Sequence, residues 1–225
     1  MKVKRDFIYD PSLVLYLPLY ELDGASIKSQ DPYGHLCTVT GALWRPNGRY
    51  FDGTDDYIVV PDAPGLRLSG KDFTIQAWFR LNTVVPANHV FLSTVQDIVS
   101  NYGWSFQITG NTKLYFAASK DGTTTGLLSM TGMSDVSVDT WYLATVVYRD
   151  GVNAKMYLDT AEEDLDNWPA SNTLVDLGLD IYVGVQELNL AGDLNGRLGE
   201  VFIYKRALSP LEVQHNYLAT KWRYR

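Results

Sequence analysis

Apolar residues in this chain recur mainly at every second position, the period of a half-buried strand whose side chains alternate between two faces. The pattern predicts strands at Asp56–Val60, Phe73–Leu81, Trp104–Ile108, Lys113–Ala118, Trp141–Tyr148, Ala154–Leu158, Leu179–Gly184 and Gly196–Tyr204. Each is rich in the β-branched and aromatic residues that suit a pleated surface. Thr109-Gly-Asn-Thr112 and Arg149-Asp-Gly-Val-Asn153 join neighbouring pairs as hairpins, since Gly-Asn and Asp-Gly steps enter tight turns readily. Only the last stretch reads as a helix. Ser209 is its N-cap, Pro210 its first residue and Glu212 the partner in a capping box, with Leu211, His215 and Leu218 on one side. Many short strands separated by turns predict an all-β fold, a two-sheet antiparallel β-sandwich with a short C-terminal helix. No internal repeat and no long linker divides the chain, so residues 13–225 read as one domain behind an N-terminal arm of residues 1–12.

Composition narrows the partners. The 225 residues are 46% hydrophobic and 20% charged, enough to bury a core without disulfide or metal support. Lysine and arginine number 19 against 26 acids, a net charge of −7, the wrong sign for binding nucleic acid or anionic lipid. The lone Cys37 excludes an intramolecular bridge and a thiolate zinc cluster, and it reads as a small buried hydrophobe. His35, His89 and His215 match no metal-ligand spacing. The basic start, Lys2, Lys4 and Arg5, is interrupted by Asp6, Asp10 and Pro11, and the apolar run Ser12–Leu19 is short and broken by Pro18. Neither a signal peptide nor a membrane span is expected. The expected location is a virion or surface assembly, or the extracellular space by a non-classical route.

Several ordered blocks are similar to one family. Leu13-Val-Leu-Tyr-Leu-Pro-Leu-Tyr-Glu-Leu-Asp-Gly24, Arg49-Tyr-Phe-Asp-Gly-Thr-Asp-Asp-Tyr-Ile-Val-Val-Pro61 and Asp72-Phe-Thr-Ile-Gln-Ala-Trp-Phe79 resemble the opening half of a laminin-G-like domain. Trp141–Tyr148, Ala154–Asp159 and the stretch from Leu194 to Ser209, with its "aromatic, basic, Ala-Leu-Ser" ending, resemble the closing half. The resemblance implies a jelly-roll sandwich of the concanavalin A-like lectin/glucanase superfamily, a fold that hosts lectins, glycosidases, adhesion modules and virion proteins alike.

In such domains a calcium ion often ties an early acidic loop to the late strand that ends the sandwich. The implied oxygen donors are Asp23, Asp52, Asp55, Asp56 and Glu200, with Asp193 and Asn195 beside them. Where the family commonly has an Asp-Glu pair, this chain has Gly199-Glu200, one carboxylate fewer. Plain turn formation by Asp52 and Asp55 is the alternative. For a sugar, the best stacking candidate is Trp168 in the polar segment Asp166-Asn-Trp-Pro-Ala-Ser-Asn172, with Asp166, Asn167 and Asn172 to hold hydroxyls. Tyr102 and Trp104 form a second candidate, while Trp44, Trp78 and Trp141 read as core. A glycosidase needs two carboxylates converging on one groove. The nearest pattern, Glu162-Glu-Asp-Leu-Asp166, reads as a solvated acidic loop.

The expected function is a non-catalytic recognition module that binds a glycan or polysaccharide or serves adhesion, with calcium as structural cofactor. A structural protein of a virion or surface assembly, contacting neighbouring subunits as a possible homo-oligomer, is the alternative, and a glycoside hydrolase the third reading.

Overall fold

A computed structural model describes residues 10–84, 88–97, 100–163, 168, 172–186 and 192–225. The strands are β1 (Leu13–Pro18), β2 (Ser26–Lys28), β3 (Leu36–Thr40), β4 (Leu43–Arg45), β5 (Gly48–Asp52), β6 (Tyr57–Val60), β7 (Phe73–Leu81) and β8 (His89–Asp97). They continue as β9 (Asn101–Ile108), β10 (Lys113–Ser119), β11 (Leu127–Asp135), β12 (Trp141–Arg149), β13 (Asn153–Leu158), β14 (Ala161–Glu162), β15 (Ile181–Val183) and β16 (Asn195–Tyr204). Helix α1 (Pro210–Thr220) and one 3-10 turn, Lys221–Arg223, close the chain.

One eight-stranded sheet runs β14-β13-β12-β7-β16-β5-β4, and the second runs β11-β10-β9-β8-β15-β6-β3-β2. The eighth strand of the first sheet is β1, which pairs with the C-terminal half of β16 while β5 pairs with its N-terminal half. Every pairing is antiparallel, the architecture the alternating pattern predicts.

Alternation decides which side chains fill the space between the sheets. Phe51, Phe73, Phe79, Phe91, Phe106 and Phe116 are fully buried there, and Phe79 stacks on Phe91 with centroids 4.4 Å apart. Each such ring contributes about 1.5–3 kcal/mol by leaving water. The opposite positions of the first sheet form an outer layer, Trp78, Tyr16, Phe202 and Tyr204, which α1 and the chain end cover. Trp78 stacks on Tyr224 at 4.4 Å and donates its indole N–H to Thr220 Oγ1 at 2.8 Å. Asn216 Nδ2 donates to Gln76 Oε1 at 2.8 Å, and Gln76 Nε2 to Thr145 Oγ1 at 3.0 Å.

That polar network corrects the expected helix face. The capping box of Ser209 and Glu212 is present, but Val213, Asn216 and Thr220 are the residues buried, while Leu211, Leu218 and His215 face outward. The sheet beneath α1 offers the buried Gln76 amide, Thr145 hydroxyl and Trp78 indole N–H, and these need hydrogen-bond partners more than they need leucines. Trp44 is a second correction: it is 38% exposed on edge strand β4, its indole N–H donating to the Tyr20 carbonyl at 2.9 Å. Cys37 is buried as expected, and burial with the Asp31 charge pushes its thiol up to about 12.

Candidate functional site

Where β5 ends and β16 begins, the sandwich rim collects acids. Asp52 closes β5 and pairs across to Asn195, the first residue of β16. The chain turns between them and β6 through Gly53, whose left-handed backbone (φ +86°) a side chain would force against Asn195. Asp52 Oδ1 accepts from Thr54 N at 2.9 Å and Asp56 Oδ2 from Asp52 N at 2.8 Å, so the loop is held by its own carboxylates. The carboxylates of Asp52, Asp55 and Asp56 all lie within 4.8 Å of one another, the first two exposed and Asp56 buried.

Asp193 joins them electrostatically. Burial first, and then the charges of Asp52, Asp55 and Asp56, hold the Asp193 carboxyl above the usual carboxylate range. Asp56 is raised in the same way, by burial and by Asp52 and Asp55, against the hydrogen bond from Asp52 N. Among the described residues no lysine or arginine pairs with these four acids. A set of hard, mutually repelling oxygen donors with no cationic side chain is the chemistry a divalent cation fits.

Amides continue the rim. Asn82 Nδ2 donates to Asn195 Oδ1 at 3.1 Å, and Asn195 Nδ2 donates to the Asp52 carbonyl at 3.1 Å, so three adjacent strands are tied at one level. Behind them Asn195 N donates to Nδ1 of the buried His89 at 3.3 Å, and burial keeps that imidazole's proton affinity low. Asn82 and His89 escaped the sequence pattern, because only strand pairing brings them beside Asn195.

Other expected residues lie elsewhere. Asp23 is exposed outside the cluster, next to Arg49, whose guanidinium donates to the carbonyls of Leu22, Gly24 and Ala42. Glu200 is not a rim ligand. A bulge between Leu198 and Val201 turns it into the outer layer, where it is fully buried, accepts from Tyr16 OH at 2.8 Å and Tyr224 OH at 3.1 Å, and faces Arg223 at 3.0 Å. It lies five positions along β16 from Asn195, about 16 Å.

The stacking candidates are core instead of platform. Trp168 is only 5% exposed, 5.5 Å from the ring of Phe116 and 6.0 Å from that of Tyr148. Trp104 packs in the same core, and Tyr102 is buried on the far face of the second sheet with Val95 and Ala117. Asn172 offers its carbonyl to Tyr148 OH at 2.7 Å. Asp166 and Asn167 lie outside the described residues. The acidic run beside them is not simply solvated. Glu162 is exposed and pairs with Lys155, but Glu163 is buried and accepts from Met133 N, Ser134 N and Ser134 Oγ at 3.0, 2.6 and 2.7 Å.

Two antiparallel sheets packed face to face, with a carboxylate loop at the rim, define a jelly roll of the concanavalin A type. The chain belongs to the Laminin_G_3 family of the concanavalin A-like lectin/glucanases superfamily, matching it over residues 52–214. No curated protein matches the chain. Among solved structures it is similar to the binding domain of Paraclostridial Mosquitocidal Protein 1, at TM-score 0.68 and 17% identity, covering 92% of this chain and 52% of that one. It is similar too to a structure of botulinum neurotoxin type C, whose cell entry is dependent upon interaction with two ganglioside molecules, at TM-score 0.69 and 15% identity, covering 96% and 52%. The binding domain of botulinum neurotoxin DC in complex with rat synaptotagmin II follows at TM-score 0.65 and 14% identity, covering 92% and 52%. The chain thus spans about half the length of these neighbours, and at such identities the likeness is one of fold.

Proposed function

We propose that this chain is a non-catalytic recognition module that binds a glycan or a receptor protein, with calcium seated in the Asp52–Asp56 loop. The observation that carries the reading is the rim itself: three clustered carboxylates with no cationic partner among the described residues, continuous with a row of amides. The similar toxin domains, which engage gangliosides and synaptotagmin, support recognition as the use of this sandwich. The two fully enclosed glutamates support it as well, since Glu163 and Glu200 are consumed by structural hydrogen bonds and neither is free for acid or base work.

Asp52, Asp55 and Asp56 would hold the ion, with the charge of Asp193 nearby, and the ion supplies positive charge that relieves their mutual repulsion and fixes the loop. A ligand that binds only the folded chain raises its midpoint. A hundredfold excess over Kd adds about 2.7 kcal/mol, and at this chain length that is about 5–11 °C. Thermal unfolding with calcium and with chelator tests this. The expected shift disappears in Asp52→Asn/Asp55→Asn, and an unchanged midpoint at millimolar calcium removes the metal from the proposal. A glycan array tests recognition itself, and a flat response across neutral, sialylated and sulfated glycans removes the sugar ligand.

A further inference from the structure

One level below the amide row, the exposed side of the first sheet carries a line of side chains across five strands. Trp141 on β12 pairs with Arg80 on β7, Arg80 with Arg197 on β16, Arg197 with Tyr50 on β5, and Tyr50 with Leu43 on β4. Directly paired residues share a face, and this is the outer one, since Phe79, Leu81, Leu198 and Phe51 alternate into the core. Arg45, two residues along β4, lies with its guanidinium carbon 5.9 Å from the Tyr50 centroid.

Like charges directly opposite one another destabilise a sheet, and Arg80 and Arg197 are so placed in a chain of net charge −7. Their neutralisation is incomplete. Arg80 pairs with Asp139 at 2.7 Å, but Arg197 and Arg45 form no ion pair among the described residues. Arg197 gives one N–H to Asn47 Oδ1 at 3.2 Å, and its Nε is enclosed without a partner. Burial, followed by the charges of Arg80 and Arg45 and partly offset by Tyr50 and Asp139, weakens proton binding at Arg197. Trp141, itself against Tyr224 at 4.7 Å, and Tyr50 stand half-buried at either end of the arginine pair. The span from Arg80 to Tyr50 is two strand spacings, roughly 10 Å.

We propose that this row is a binding site for an acidic saccharide, with Arg197, aided by Arg80 and Arg45, holding its carboxylate or sulfate while Trp141 and Tyr50, three strand spacings or roughly 14 Å apart, meet separate sugar rings. A guanidinium fork matches a planar carboxylate or sulfate through two parallel N–H donors. Aromatic faces match the apolar C–H side of a pyranose. The inference rests on reading the chain as a glycan-binding module and adds where the ligand sits and what charge it carries.

Calorimetric titration of the full chain tests it with four probes: a sialylated trisaccharide, a sulfated hexasaccharide, a neutral hexasaccharide and a hexaglutamate peptide. The two acidic sugars should bind, more weakly as salt is raised, with the neutral sugar and the peptide at least about tenfold weaker. Arg197→Gln should cost about ten- to a hundredfold, the range for a hydrogen bond to a charged group. Arg197→Lys should bind both acidic ligands more weakly than the native chain but better than Arg197→Gln, because an ammonium keeps the charge and lacks the fork. Arg45→Gln, at an exposed position outside the core, should weaken binding in the same direction even if Arg197 variants unfold. Acidic sugars that bind these variants at full strength would place the ligand elsewhere and overturn the inference while leaving glycan recognition standing. So would neutral sugars binding equally well. Hexaglutamate binding as tightly as the acidic sugars would make the partner a peptide and overturn it too. Silence with all three sugars would fell the glycan reading and the inference together.

Discussion

Replacing Glu200 should loosen the whole outer layer. Its carboxylate has no solvent exposure, faces an Arg223 side chain that is 9% exposed, and accepts from two tyrosine hydroxyls. The Arg223 contact at 3.0 Å is a charge contact and not a directed hydrogen bond, so its strength depends on the enclosure. Removing one member of such a buried pair strands the other, at about 3–5 kcal/mol. With about 2–4 °C of midpoint per kcal/mol in a chain of this length, Glu200→Gln should melt about 6–20 °C lower. A double-mutant cycle with Arg223→Gln isolates the pair, and the two losses should fall short of additive by more than about 1 kcal/mol. Melting by circular dichroism at neutral pH is sufficient. Additivity within about 0.5 kcal/mol would show that Glu200 and Arg223 do not sense each other, and that the tyrosine hydroxyls alone hold the chain end.

Trp168→Ala should act on stability, lowering it by about 3–5 kcal/mol in denaturant unfolding, with sugar binding per folded molecule unchanged. Loss of binding at unchanged stability would restore Trp168 as a platform. Acid should weaken the seam between the start of β1 and α1. The Arg206 hydrogen bond holds the Glu212 carboxyl down at about 2, and Asp10 is lowered too, since its bonds from Arg206 and Ser12 outweigh burial. A carboxyl depressed in the folded state contributes stability above its unfolded value and loses it as pH falls through the folded one. Midpoints measured between about pH 5 and pH 2 should fall less steeply for Arg206→Gln than for the native chain, and parallel profiles would refute the role of Arg206.

Much of the architecture was legible because alternation is written locally. Phe73–Leu81 as a predicted strand matches β7 residue for residue, and Gly196–Tyr204 falls one residue short of β16. Two long strands left no such trace. Along β8, register shifts against β9 between Val90 and Leu92 and again beyond Ser93 break the alternation, and Phe91 and Leu92 both reach the core. At the sheet edge, β11 exposes Ser129, Met133 and Ser134 and has little apolar contrast. Asp52, Asp55 and Asp56 were visible as a cluster because they are sequence neighbours. Trp168 misled because a polar sequence neighbourhood says nothing about which side of a loop a ring occupies. The arginine row was invisible, since Arg45, Arg80 and Arg197 meet only through pairing across β4, β5, β16 and β7.

Strand β16 has a further consequence for how this molecule is made. It hydrogen-bonds β7 along one flank and both β1 and β5 along the other, and through it Tyr16 meets Glu200, 184 residues away. Contacts so distant in sequence close slowly. On the ribosome, β1, β5 and β7 are all synthesised long before the strand that joins them, and until it emerges each offers an open hydrogen-bonding edge to any passing chain. In a nascent polypeptide stalled ahead of Asn195 the first sheet is therefore in three unsealed pieces, the species on which chaperones and proteases would act.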